Sequence, residues 1–189
     1  MHKAGTLAAL LTIAGSLTLN CGNKAERARR ELAEMDIKYD AQTFMKTIEN
    51  GDSLAVKLFL QAGMSPESEG KSGADVPGRG FVQQEFTALN LAIYRGHIDI
   101  AYLLLEFGAD PNKRTRDGTS LHYALGSPLI PLKQRLDFIS NLLLGGVDVN
   151  APSNRGVLPL DIAKGVLENP DIIKLLEERG AKTSGKIVR

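Results

Sequence analysis

The chain has no tryptophan, one cysteine and almost no net charge. A single cysteine excludes a disulfide framework and any multi-cysteine metal site within one chain. Formal net charge is +1, and 22 basic side chains face 22 acidic ones once the first 20 residues are set aside. Such a balance gives no general attraction to nucleic acid, and no nucleic-acid partner is expected. Aromatic residues make up only 5%, so the core must be aliphatic. Leu, Ile, Val and Ala dominate instead, which suits packed helices. Catalytic patterns are missing too. There is no serine or cysteine nucleophile with an identifiable base, no glycine loop that would cradle a phosphate and no zinc spacing. GRGF at 78–81 falls in a loop rather than between a strand and a helix, so a non-enzyme with no cofactor and no metal is expected. What remains is 189 residues, 43% hydrophobic and 24% charged, enough for one ordinary globular domain.

The N-terminus has its own grammar. Positive His2 and Lys3 precede an apolar run from Ala4 to Leu19, followed by Cys21 and polar Gly22, Asn23 and Lys24. This is the layout of an export signal over residues 1–20. The run falls short of the about 20 apolar residues that span a bilayer and contains Gly5 and Gly15, so cleavage is expected rather than a permanent span. LTLNC at 17–21 resembles the lipobox of bacterial lipoproteins, in which the cysteine thiol receives a diacylglyceryl group and becomes the new N-terminus. Thr18 and Asn20 stand where that family prefers leucine and a small residue. The resemblance implies lipidation at Cys21, attachment to a bacterial membrane through the N-terminal lipid, and a periplasmic or surface-exposed soluble part of 168 residues. The alternatives are a soluble periplasmic or secreted effector or inhibitor, with the signal cleaved and no lipid, and an accessory subunit that stabilises an enzyme partner.

Comparing the chain with itself shows a repeat. The clearest unit is TALNLAIYRGHIDIAYLLLEFGADPN, Thr87 to Asn112. It resembles the ankyrin pattern at Thr87, Leu89, Ala92, Gly96-His97, Ile100, Ala101, Leu104, Leu105 and Gly108-Ala109-Asp110. A further copy opens with TSLHYA (119–124) and closes with LLLGGVDVN (142–150). Another opens with VLPLDIA (157–163) and closes with DIIKLLEERGAK (171–182). The most N-terminal one is FMKTIENGDSLAVKLFLQAGMS (44–65). The resemblance implies an all-α ankyrin-repeat solenoid of about four helix-turn-helix repeats with projecting β-turns. Copies are placed at about 40–68, 85–114, 117–152 and 156–183 within a repeat domain over 40–182. A charged tether or capping helix is expected over 21–39, with Ala28, Leu32 and Met35 on one face, and a frayed tail over 183–189.

Spacing is irregular. Leu89 to Leu121 is 32 residues and Leu121 to Leu160 is 39, around an ankyrin period of about 33. The excess is assigned to loops. GSPLIPLKQ (126–134) carries Pro128 and Pro131, which helices exclude, and is expected to bulge from its helix-helix turn. Residues 67–85, rich in Gly, Ser and charge, read as an extended mobile loop and a possible second contact element. Asn112 to Leu121 is one residue short, which predicts a tightened turn at Asp117-Gly118. Ala92, Ala124 and Ala163 are expected to let neighbouring first helices approach. Glycines 63, 108, 146 and 180 are expected to end the second helices in a left-handed conformation.

His97 and His122 occupy slots where ankyrin repeats use histidine to bond turn backbone and link neighbouring copies. No further ligands accompany them at metal-binding spacing. Asp110 and Asp148 read as turn formers. Ankyrin proteins generally bind through turn tips and the exposed side of the first helices. Carried onto this chain, those slots are Gln83, Gln84, Phe86, Tyr94 and Arg95, then Thr115, Arg116 and Gly118, then Asn154, Arg155 and Val157. Tyr, Phe and Arg are the types enriched at interface hot spots. An unidentified protein partner is expected, bound by a monomer.

Overall fold

The protein is described from a computed structural model covering residues 23–76 and 80–185; of residues 74–76 and 80–82 only the backbone is described. The export signal over 1–20, Cys21 and the last four residues lie outside this range. A helix over residues 23–34, α1, is followed by α2 (Ala41–Asn50) and α3 (Ser53–Gln61), then by a hairpin of β1 (Glu69–Val76) and β2 (Gly80–Thr87). Next come α4 (Ala88–Tyr94), α5 (Ile98–Glu106), α6 (Ser120–Gly126) and α7 (Leu132–Leu144). The last elements are α8 (Pro159–Ile162), which continues as a π-helical turn over Ala163–Leu167, and α9 (Pro170–Glu178). Helices pair as α2/α3, α4/α5, α6/α7 and α8/α9, and the first helices α2, α4, α6 and α8 stack in sequence order. The architecture is a mostly helical repeat solenoid that carries one two-stranded antiparallel sheet.

Stacking explains the composition of the central helix. Every residue of α4 from Ala88 to Ile93 is buried, because α2 and α6 cover it on both sides. A helix with neighbours on both flanks must be apolar nearly all round. Ala92, Ala124 and Ala163, each 0% exposed, sit within this stack. Phe44, Phe59, Leu89, Ile100, Leu104, Leu121, Phe138, Ile172 and Leu176 extend the core as one continuous cluster. Each such fully buried side chain contributes about 1.5–3 kcal/mol. Helix starts follow the local chemistry. Asp40, Asp52, Thr87 and Asn169 each accept from a backbone N–H three residues on, satisfying a donor that a helix leaves orphaned. The ends of α3, α5, α7 and α9 are followed by Gly63, Gly108, Gly146 and Gly180 at φ +97, +92, +86 and +79, a left-handed position that L side chains avoid.

The turn tips are laced together. Asp110 N donates to Glu67 Oε1 at 2.6 Å, Asp148 N to Asn112 Oδ1 at 2.7 Å, and Lys182 N to Asn150 Oδ1 at 2.8 Å. One acceptor in each turn thus holds the same backbone donor in the next. Helix α1 closes the first end: Ala28 and Leu32 join the core, and Arg29 Nη2 and the Tyr39 hydroxyl both donate to the Ala62 carbonyl at 3.1 Å.

Several expectations are corrected. Residues 67–85 are mainly hairpin rather than extended mobile loop, with register from Glu69 opposite Thr87 to Val76 opposite Gly80. Met35 does not share the packed face of α1; the helix ends at residue 34 and Met35 is 41% exposed. The bulge in GSPLIPLKQ is confined to 127–131, since Gly126 ends α6 and Leu132 to Gln134 already form the first turn of α7. Arg135, 6% exposed, holds that bulge by donating through Nη2 to the Ser127 and Ile130 carbonyls. Burial lowers its pKa, yet a guanidinium titrates so far above neutrality that it stays charged. In the tail, Ser184 is not frayed: its N donates to Asp161 Oδ1 at 3.0 Å and its hydroxyl also bonds that carboxylate.

Candidate functional site

The hairpin is the feature that departs from a plain repeat stack, and it stands between two grooves. Thr87 is both the last residue of β2 and the N-cap of α4, so the strand runs straight into the helix stack. Ser72, Gln84 and Phe86 turn inward, while Glu69, Lys71, Gln83 and Glu85 face solvent. Gly70 lets the backbone lie on α2, where a Cβ would come within 2.7 Å of Met45 Cγ. Two polar networks pin the hairpin. Arg95 Nη2 donates to Glu49 Oε1 and, at 2.9 Å, to Ser72 Oγ, which itself donates to Glu49 at 2.6 Å. On the other side Gln84 Nε2 donates to Asp117 Oδ2 and to the Tyr123 hydroxyl at 3.0 Å, and that hydroxyl also bonds Thr115 Oγ1 at 2.7 Å. Burial raises the Tyr123 pKa, with the Asp117 charge adding to it, so the phenol stays neutral.

One groove lies between the hairpin and the turn at 114–117; it encloses about 470 Å³ and includes Lys71, Gln83, Glu85, Arg114, Arg116 and Arg155 in its lining. The other, of about 470 Å³, separates the hairpin from α2 and is lined by residues including Gln42, Met45, Lys46, Glu49 and Gln83. Such open, mixed-polarity clefts suit a polypeptide better than a small apolar ligand, which is usually taken up in an enclosed apolar pocket.

The residues proposed from sequence fall into three groups. Gln83, Arg116, Asn154 and Arg155 are exposed, and all but Asn154 line the first groove. Gln84, Thr115 and Val157 are partly buried and engaged internally, Val157 through its carbonyl to His122 Nε2 at 3.1 Å. Phe86, Tyr94, Arg95 and Gly118 are structural. Phe86 is 3% exposed, with ring centroids 5.2 Å from Tyr94 and 5.7 Å from Tyr123. Arg95 is held by Glu49 and Ser72 and lies 5.7 Å from the Tyr94 ring centroid, so it is not a free surface charge. Gly118, at φ +122, lies under the His122 ring, where a Cβ would be 2.4 Å from Cγ. The tight turn expected there closes on paired bonds between Thr115 and Gly118, 2.9 and 3.3 Å. Sequence reasoning missed Lys71 and Arg114 as groove residues; the alternation of arginines about Thr115 in KRTRDG was the available signal.

Both histidines bridge neighbouring pairs. His97 Nε2 lies 3.3 Å from the Glu49 carbonyl. His122 is 3% exposed; its Nδ1 accepts from Thr119 N at 3.2 Å, which leaves Nε2–H to donate to Val157 O. Burial lowers the His122 pKa, and with both nitrogens engaged the ring has no proton to exchange with a bound molecule. Among the described residues, no group of three or more His, Cys, Asp or Glu could hold a metal ion, and no helix is long and apolar enough to cross a membrane.

Comparison with known proteins agrees with this geometry. A family profile described as ankyrin repeats, in three copies, matches residues 44–152. The chain is 30% identical over 108 residues to Protein HOS4 of Saccharomyces cerevisiae, covering 56% of the chain and 9% of that protein. It is 36% identical over 103 residues to human Ankyrin repeat and SOCS box protein 6, covering 51% of the chain and 23% of that protein. The chain therefore spans less than a quarter of either relative.

Proposed function

Because the chain belongs to the ankyrin-repeat family, whose repeats are protein-interaction modules, we propose that it is a non-catalytic binding protein that holds a partner protein along its hairpin grooves. The observation that carries this reading is the hairpin itself: bonded to the helix stack at Ser72 and Gln84 yet open on both sides, it offers a wall with a cleft on each face. Such bonds matter, since a partner loses less binding energy where the receptor surface is already held in place. We count each helix pair as a repeat, four in all, with α8/α9 as the copy beyond the three matched by the profile. Residues 21–39 serve as an end cap, supported by the burial of Ala28 and Leu32. The N-terminal signal and Cys21 make the protein a lipid-anchored lipoprotein of a bacterial cell envelope, monomeric and facing the periplasm or the exterior.

Two experiments test the two halves of this reading. A photo-crosslinking residue placed at Gln83 or Arg116 should capture the partner in cells, while one at Leu144, on a helix that lines neither groove and 70% exposed, should not. Capture from Leu144 alone would place the interface elsewhere. For anchoring, the intact mass of the membrane fraction should equal residues 21–189 plus acyl chains and disappear in Cys21→Ala. An unmodified mature chain in the soluble fraction would instead make the protein a soluble periplasmic or secreted binder.

A further inference from the structure

The groove between the hairpin and the 114–117 turn is not electrically balanced where it is open. Its carboxylates are engaged: Glu69 Oε1 lies 2.9 Å from Lys113 Nζ, Glu85 Oε1 lies 3.9 Å from Lys71 Nζ, and Asp117 accepts from Gln84. Two of its arginines are different. Arg114 and Arg116 are exposed and make no ion pair among the described residues. They flank Thr115, whose side chain turns inward to Tyr123, and both line the groove. Arg155 lines it from the next turn, so guanidinium groups are contributed from two successive tips of the stack. Planar, always-charged guanidinium forks match carboxylates through paired hydrogen bonds.

Resting on the proposed binding role, we infer that this groove receives an extended acidic segment of the partner protein, with its carboxylates on Arg114 and Arg116. The cleft lies between a strand pair and a single turn, and an extended chain is the form of peptide that lies along a strand. Its charge pattern favours polypeptide over nucleic acid. Glu69, Glu85 and Asp117 also line the groove, and they would meet a continuous row of phosphates, whereas spaced carboxylates can avoid them. The whole chain's charge of +1 also lacks the basic excess that phosphate-backbone binding uses.

The test uses the full chain and fluorescence anisotropy with a labelled decapeptide alternating Glu and Ala, which sets its carboxylates on one face when extended. Binding that weakens with salt is expected, together with a loss of about tenfold in the double variant Arg114→Gln/Arg116→Gln, as two charge-assisted contacts would give. Lys133→Gln, on α7 and outside both grooves, should leave binding unchanged, and an alternating Lys-Ala decapeptide should not bind. All three substituted positions are exposed, and matching thermal unfolding curves check that the fold is kept. Equal affinity in the double variant, or equal binding of the Lys-Ala peptide, overturns the inference. Tighter, arginine-dependent binding of a short duplex DNA overturns it in favour of a phosphate backbone. If crosslinks form at Gln83 and Arg116 while the acidic peptide fails, only the acidic identity falls; if crosslinks form only at Leu144, the binding role of the grooves falls with it.

Discussion

Lowering the pH through the range of a free histidine should weaken the fold through His122. In the unfolded chain this ring titrates near 6.5, while in the folded protein burial holds its pKa below that value. Neutrality is also required by its bonds, because protonating Nδ1 would aim a proton at the Thr119 N–H that now donates to it. A folded pKa below the unfolded one means that the unfolded chain binds more protons between the two. The stabilisation is therefore complete above about pH 6.5 and is lost as pH falls from there towards the folded value. The ceiling can be worked out. If the folded ring stays neutral down to pH 5.5, going from pH 7.5 to 5.5 costs about 1.4 kcal/mol, one pKa unit's worth of free energy. Urea unfolding followed by circular dichroism at pH 7.5, 6.5 and 5.5 measures this. Other groups titrate too, so the readout is the difference from His122→Gln, which removes this group's share. The variant should be less stable at pH 7.5, because the Thr119 donor and the Val157 acceptor lose their shared partner, but its pH dependence should be flatter. Equal pH slopes in the two proteins, or a wild-type chain that gains stability on acidification relative to the variant, would refute the reasoning.

Other consequences follow from the same contacts. Gly118→Ala should destabilise by about 3 kcal/mol, combining left-handed strain with the overlap onto His122. Gly108→Ala, with nothing within 4 Å of the new Cβ, should cost only the strain, about 1 kcal/mol; thermal denaturation of the two variants compares them, and equal losses would mean that the His122 contact is absent. Tyr123→Phe should cost about 1–2 kcal/mol by removing the hydroxyl that joins Gln84 to Thr115, and amide exchange should speed up in β2 before it does in α4. Asn112→Ala should cost about 0.5–1 kcal/mol, since water can replace part of the exposed bond to Asp148 N, with faster exchange at Asp148 and neighbouring amides.

The repeat was legible because each copy must solve the same local problems. A helix end needs a residue tolerant of positive φ, hence Gly63, Gly108, Gly146 and Gly180; a crowded first-helix stack needs Ala92, Ala124 and Ala163. The linking roles of His97 and His122 were readable from their slots for the same reason. The hairpin was not readable. Of the described side chains on its inward face, Ser72 and Gln84 are polar and Phe86 is apolar, so the alternation that marks a half-buried strand is nearly absent. What holds it there is tertiary: Glu49, Arg95, Asp117 and Tyr123 all lie outside the segment. FVQQEFT, rich in residues that favour strands and preceded by Pro77-Gly78, was the signal that could have found it. The surface set failed in part for a related reason. A family slot places a residue on a face but not the direction of its side chain, and here Phe86 turns inward from β2 and the hairpin recruits Arg95. Arg116 and Arg155, at turn tips beyond the hairpin's cover, stayed exposed.

Amide hydrogen exchange of the full chain, alone and with its crosslink-identified partner, tests the central claim most directly. The account predicts slowed exchange on binding in β1, in β2 and in residues 113–117, with the second helices α3, α5, α7 and α9 unchanged. Slowing confined to those second helices, with the hairpin amides unaffected, would contradict it.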